Sequence, residues 1–69
     1  MTTTLGQRIR QARKAAGYRN TEQFAVALGK GMRTVQRYET GRAEPSLATL
    51  RLIAALTDQT LAFFLNGRP

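Results

Sequence analysis

The chain has 69 residues, no cysteine, no histidine, and eleven Lys and Arg against four Asp and Glu, for a net charge of +7. Those absences exclude a disulfide framework, the usual zinc sites and imidazole catalysis, and a body that buries only about 60% of its unfolded surface must then rest on packing alone. The positive excess implies a polyanionic partner or an acidic surface, nucleic acid first among them.

No apolar run approaches the roughly 20 residues of a membrane span, and the N-terminus carries no apolar leader region, so a soluble cytoplasmic protein is expected. Met1 to Thr3 should be a disordered start. Thr4, with Gln7 three residues on, forms a capping box that starts a first helix at Leu5. Leu5, Ile9, Ala12 and Ala16 recur at helical spacing as its buried stripe, and Gly17 ends it. Arg8, Arg10 and Lys14 lie off the stripe as a largely solvated basic face with room for one phosphate contact. Arg13 sits one turn beyond Ile9 at the edge of the stripe, where half burial is expected.

Asn20 and Gln23 form a second capping box, for a helix over Thr21–Leu28 with Phe24, Ala25 and Leu28 inward. Gly29 supplies the left-handed residue that the following turn needs. Lys30 and Gly31 complete the connection, Gly31 being an indifferent N-cap for a third helix from Met32 to Thr40, which Gly41 stops. Pro45 followed by Ser46 sets up a fourth helix, Leu47 to Leu56, with Leu47, Leu50, Ile53 and Ala54 buried. Thr57, Asp58 and Thr60 are each able to cap a fifth helix. Thr60 is preferred, which puts Leu61, Phe64 and Leu65 on one face, Phe63 on the far side, and Asn66 and Gly67 at the close. The reading is all-α: one compact domain of five short helices over residues 1–69, ordered from about 4 to 67, without linkers, repeats or low-complexity segments.

The third helix divides into two arcs at about 100° per residue. Met32, Arg33, Gln36, Arg37 and Thr40 fall on one; Thr34, Val35, Tyr38 and Glu39 fall on the other. The first arc holds no acid and carries long side chains able to donate and accept hydrogen bonds, which suits base edges in a DNA major groove. Arg33 and Arg37 taken by periodicity alone are equally compatible with ordinary solvated charges. Glu39 lies on the inward arc and Arg13 on the edge of the inward stripe of the first helix, so the two are expected to pair.

Thr21, Ala25, Gly29, Val35, Tyr38, Glu39 and Gly41, together with IRQAR in the first helix, YETG ending the third and FFLNG near the C-terminus, carry a resemblance. The chain resembles the helix-turn-helix family of phage Cro and CI repressors and bacterial XRE-type regulators, from about Leu5 to Gly67. That implies a lambda-repressor-like fold whose second and third helices are the helix-turn-helix, a cytoplasmic protein of bacterial or phage origin, and double-stranded DNA as partner. By position, the resemblance makes Met32, Arg33, Gln36 and Arg37 base readers with Thr34 nearby. It sets Asn20 and Thr21 against phosphate and gives Thr40 and Arg42 the backbone at the other end of the site. It also points to Arg13 and Glu39 as an ion pair. The chain departs from the family at Thr21, where Gln is usual, at Lys30, where an apolar residue is usual, and at Gly31, where Ser or Thr is usual. Phosphate grip is therefore expected to shift towards Lys30. The segments Gly17–Phe24 and Leu56–Leu61 each run one residue longer than in the family.

Two functions compete. The first is a sequence-specific regulator of transcription, a Cro/CI-type repressor that reads a palindromic operator as a weak homodimer. Phe63, with Leu52 or Leu56 beside it, is the expected dimer contact, since the C-terminal helix of such proteins often lies there; the bland alternative folds Phe63 back onto its own domain. The second is a protein-interaction module, an antitoxin or adaptor, that has lost DNA binding and uses its fourth and fifth helices. No nucleophile and base pair or metal cluster can be assembled from four scattered acids, so neither an enzyme nor a cofactor, metal or small-molecule ligand is expected.

Overall fold

The computed structural model describes residues 4–66, and the expectations for Met1–Thr3 and Gly67 lie outside them. Five α-helices follow one another: α1 Leu5–Ala15, α2 Thr21–Leu28, α3 Met32–Glu39, α4 Leu47–Thr57 and α5 Leu61–Asn66. Their starts are set by side chains that satisfy orphan N–H groups. Thr4 Oγ1 accepts from Gln7 N (3.2 Å) while Gln7 Oε1 accepts from Thr4 N (3.0 Å), a complete capping box. At α2 the reciprocal bond is displaced by one residue. Asn20 Oδ1 accepts from Gln23 N (2.9 Å), but Gln23 Oε1 accepts from Arg19 N (3.1 Å). Ser46 Oγ caps α4 through Thr49 N (3.1 Å), and Thr60 Oγ1 accepts from Phe63 N (3.1 Å) at the head of α5.

The α2–α3 turn is closed by two backbone bonds, Lys30 N to Ala25 O (3.0 Å) and Gly29 N to Val26 O (3.1 Å), with Gly29 at φ +69°. This is the glycine-terminated helix end that reverses the chain without a Cβ penalty. Helix α4 runs one residue beyond the expected Leu56 because Asp58, at φ +55°, takes the left-handed position itself; short acidic side chains tolerate it.

A single cluster forms the core: Ile9 and Ala12 from α1, Phe24, Ala25 and Leu28 from α2, Val35 and Tyr38 from α3, Leu50, Ile53 and Ala54 from α4, and Phe64 from α5. Four sequence-based expectations are corrected. Ala16 is exposed, because α1 stops at Ala15 and leaves it at the cap. Leu47 is 53% exposed, because the first residue of α4 projects over its own N-terminus, past the core. Leu65 is 55% exposed, whereas Phe63, expected on the far side, is half-buried, packs on the core and meets Phe64 edge-on with ring centroids 5.1 Å apart. Phe63 and Leu65 lie about 100° to either side of Phe64, and only the spacing from Leu61, itself half-buried, favours Leu65. The larger aromatic surface and the edge-to-face contact favour Phe63. Arg8, finally, belongs only partly to the solvated basic face. It is half-buried, and its guanidinium donates to Phe64 O (2.9 Å), tying α1 to α5.

Gly6 is buried where α1 crosses the end of α3. A Cβ there would stand 2.6 Å from the carbonyl oxygens of both Tyr38 and Glu39. Backbone cannot swing aside as a side chain can, so Gly6→Ala should destabilise by about 1–3 kcal/mol through overpacking. Helix propensity alone predicts the opposite sign, a gain approaching about 1 kcal/mol. A urea melt decides: a stabilised Gly6→Ala would show that the two helices do not approach so closely.

Candidate nucleic-acid interface

Helix α3 turns Val35 and Tyr38 into the core, and that choice fixes what it shows outside. Met32, Arg33, Gln36 and Arg37 are exposed, Met32 to 46%, while Thr34 is half-buried at the flank. Past the helix end, Arg42 N and Ala43 N both donate to Arg37 O (2.9 and 3.2 Å), so the chain folds back over the last turn and carries Arg42 with it. The result is an open concavity of about 580 Å³ lined by Arg33, Gln36, Arg37, Thr40 and Arg42. Three cations line it and no acid does.

The hydroxyl of Thr40 donates to Gln36 O (2.9 Å), leaving its lone pairs rather than its proton facing outward. A second, smaller concavity of about 240 Å³ lies between α1, the start of α2 and α3, lined by Arg10, Arg13, Thr21, Gln36, Glu39 and Thr40. Gln36 and Thr40 form the ridge shared by both. Asn20 spends its side-chain oxygen on the α2 cap and is exposed at the head of that helix. Lys30 is exposed in the turn before α3 but lines neither concavity. Arg10, expected on the largely solvated basic face, lines the rim of the second concavity. It lies three residues before Arg13, so turning Arg13 towards α3 carries Arg10 to the rim as well.

Glu39 is the only acid in α3, and it is removed from this surface. Arg13 Nε donates to Glu39 Oε2 (2.9 Å) and Arg13 Nη2 to Oε1 (3.3 Å), a fork-to-fork pair whose side chains are only 5% and 8% exposed. The remaining Arg13 nitrogen, Nη1, donates to Tyr18 O (2.9 Å), so one guanidinium fastens α1, the α1–α2 loop and α3. Tyr18 in turn rests on Phe24, with ring centroids 5.1 Å apart. The pair neutralises itself inside the protein, and the outward field of α3 is left to Arg33, Arg37 and Arg42.

Of the residues named for self-association, Leu52 is 41% exposed, whereas Leu56 and Phe63 are half-buried and pack on their own core. No helix among the described residues is long and apolar enough to cross a membrane. A family model described as helix-turn-helix matches residues 9–64, a span that contains α2, the turn and the whole of the α3 face. No protein among the curated sequences matches the chain significantly.

Proposed function

Because the chain belongs to the Cro/CI-type helix-turn-helix family of DNA-binding transcription regulators, we propose that it is a repressor that reads a palindromic operator by laying α3 in the major groove. The observation that carries this reading is the α3 concavity itself: three arginines and a glutamine, exposed together, with the helix's one carboxylate locked inward. Arg33, Gln36 and Arg37, with Met32 at the leading end and Thr34 at the flank, meet base edges. Asn20, Thr21, Lys30, Thr40 and Arg42 meet phosphates on either side and set the register. Thr40 does so from within the concavity, by position more than by donation, since its proton is held by Gln36 O.

Two copies binding half-sites about 34–36 Å apart would gain from effective concentration what one small module lacks. The homodimer is weak and forms mainly on DNA, through the exposed parts of Leu52, Leu56 and Phe63. Since Phe63 also packs on its own core, Leu52→Ser is the cleaner probe: sedimentation with a palindromic site should show the parent's cooperative two-site binding reduced. Undiminished cooperativity in both Leu52→Ser and Phe63→Ser would place the interface elsewhere.

Selection from a pool of random duplexes tests the function. Convergence on a two-fold symmetric motif is expected, bound about 10³-fold or more tighter than scrambled duplex at the same salt. On the selected site, Lys30→Ala or Arg42→Ala should weaken all sequences alike and flatten the slope of log K against log salt by about one unit. A pool that never converges would sink the reading. The exposed Leu47, Leu52 and Leu65 of α4 and α5 would then favour the second function, a protein-interaction module.

A further inference from the structure

We infer that the operator half-site is built on guanine: one G·C pair met by Arg33 and another by Arg37, with adjoining A·T pairs met one by Gln36 and one by Met32. This rests on the proposed major-groove docking of α3 and adds the identity of the bases. The argument starts from what each base shows in that groove. Guanine presents two acceptors, N7 and O6, and matches a guanidinium fork; adenine presents an acceptor and a donor, and matches a carboxamide. Cytosine presents only its amino donor, which calls for an acceptor such as a carboxylate.

The α3 surface offers the first two complements and, for the third, no free carboxylate. Arg33 and Arg37 are exposed, and among the described residues the one ion pair is Arg13–Glu39, so no carboxylate draws their forks aside. Glu39, the one carboxylate on α3, has both oxygens held by Arg13. The surface therefore discriminates for guanine on the contacted strand and against cytosine there.

Register follows from the helix. Arg33 and Arg37 form one i, i+4 row and Met32 and Gln36 a parallel row about 100° away. Members of a row stand about 6 Å apart along the axis. That exceeds the rise of about 3.4 Å per base pair, so the two arginines are assigned separate pairs, one or two steps apart. In the other row, the Gln36 carboxamide fits adenine and the Met32 side chain, 46% exposed, fits the methyl of thymine.

The test uses the motif selected by the parent protein, resynthesised with 7-deazaguanine at one guanine at a time. That base keeps Watson–Crick pairing and loses the N7 acceptor, so a phosphate contact does not register it. Each of the two central guanines should cost the parent about 5- to 150-fold in affinity when so replaced. Arg33→Ala should be indifferent to replacement at one of them and Arg37→Ala at the other. Both residues are exposed, so the variants should keep the parent's circular dichroism and melting temperature. Convergence on a motif without paired guanines in each half-site overturns the inference and leaves the DNA-binding function standing; so does a motif whose guanines tolerate 7-deaza replacement, or one that Arg33→Ala and Arg37→Ala read as the parent does. Failure of the pool to converge is the separate result that defeats the function.

Discussion

Glu39→Ala and Arg13→Ala should each lower the stability of the domain by about 3–5 kcal/mol, because either one strands a charge in the interior. A chain of 69 residues holds about 3–10 kcal/mol in total at typical values per residue, so both variants should be largely unfolded well below the parent's melting temperature. The two losses should differ in kind. Glu39→Ala leaves a guanidinium that still has Tyr18 O at 2.9 Å, whereas Arg13→Ala also frees that carbonyl and loosens the α1–α2 loop. Replacing both partners by methionine should be far milder than either single change, since no unpaired charge is left behind. Chemical denaturation of the parent, the two single alanine variants and their double-alanine combination makes a double-mutant cycle, with the double-methionine variant as the packed, uncharged control. Single variants that melt like the parent would mean that the pair contributes nothing to holding α3 against α1.

Phe64→Ala should cost a similar amount, about 3–5 kcal/mol, since the ring is 1% exposed and is the only fully buried side chain that α5 contributes to the core. Six residues do not hold a helix in water by themselves, so α5 depends on this anchor. Arg8 would lose its acceptor as well, because Phe64 O moves with the helix. Hydrogen exchange should show amides of α5 losing protection ahead of those in α2 and α3. Phe63→Ala, removing a half-buried ring, should cost less. Equal protection of α5 in Phe64→Ala and the parent would refute the anchoring role.

These two effects also mark what was legible in the sequence. The Arg13–Glu39 juxtaposition could be anticipated because each residue sits at a definable angle on its own helix, and helical angle is what sequence spacing encodes. The caps at Thr4, Asn20, Ser46 and Thr60 were legible for the same reason, being local chemistry within four residues. The acid-free arc of α3 was likewise readable, since Val35 and Tyr38 admit only one inward face. What escaped were features decided by a neighbour distant in sequence. Gly6 gave no sign of its role, because the carbonyls it accommodates belong to Tyr38 and Glu39 at the far end of α3. Arg8 looks like any surface arginine until α5 brings Phe64 O within 2.9 Å. Spacing from Leu61 turns Leu65 inward in place of Phe63, and only the packing of α5 on the domain reverses that choice. Arg10 reads as part of a largely solvated face, with room there for one phosphate contact, because its own helix places it off the stripe. The edge of a neighbouring concavity is not a property of one helix.

The placement of Thr40 has a local origin instead. Sequence puts it on the recognition arc, next to Gln36; the folded chain uses its hydroxyl to close the last turn of α3. Its contribution to an interface is then a fixed small surface and two lone pairs, while Arg42, brought over the turn by the bonds to Arg37 O, supplies the charge.

The central claim, that α3 enters the major groove, is tested most directly by nuclear magnetic resonance of the protein titrated with its selected duplex. The account predicts the largest amide shifts in residues 32–37, at the start of α2 and at Arg42, with intermolecular contacts from the Met32, Arg33 and Gln36 side chains to cytosine H5 and thymine methyl protons. Shifts concentrated in α4 and α5, with the α3 side chains showing no contact to groove protons, would contradict it.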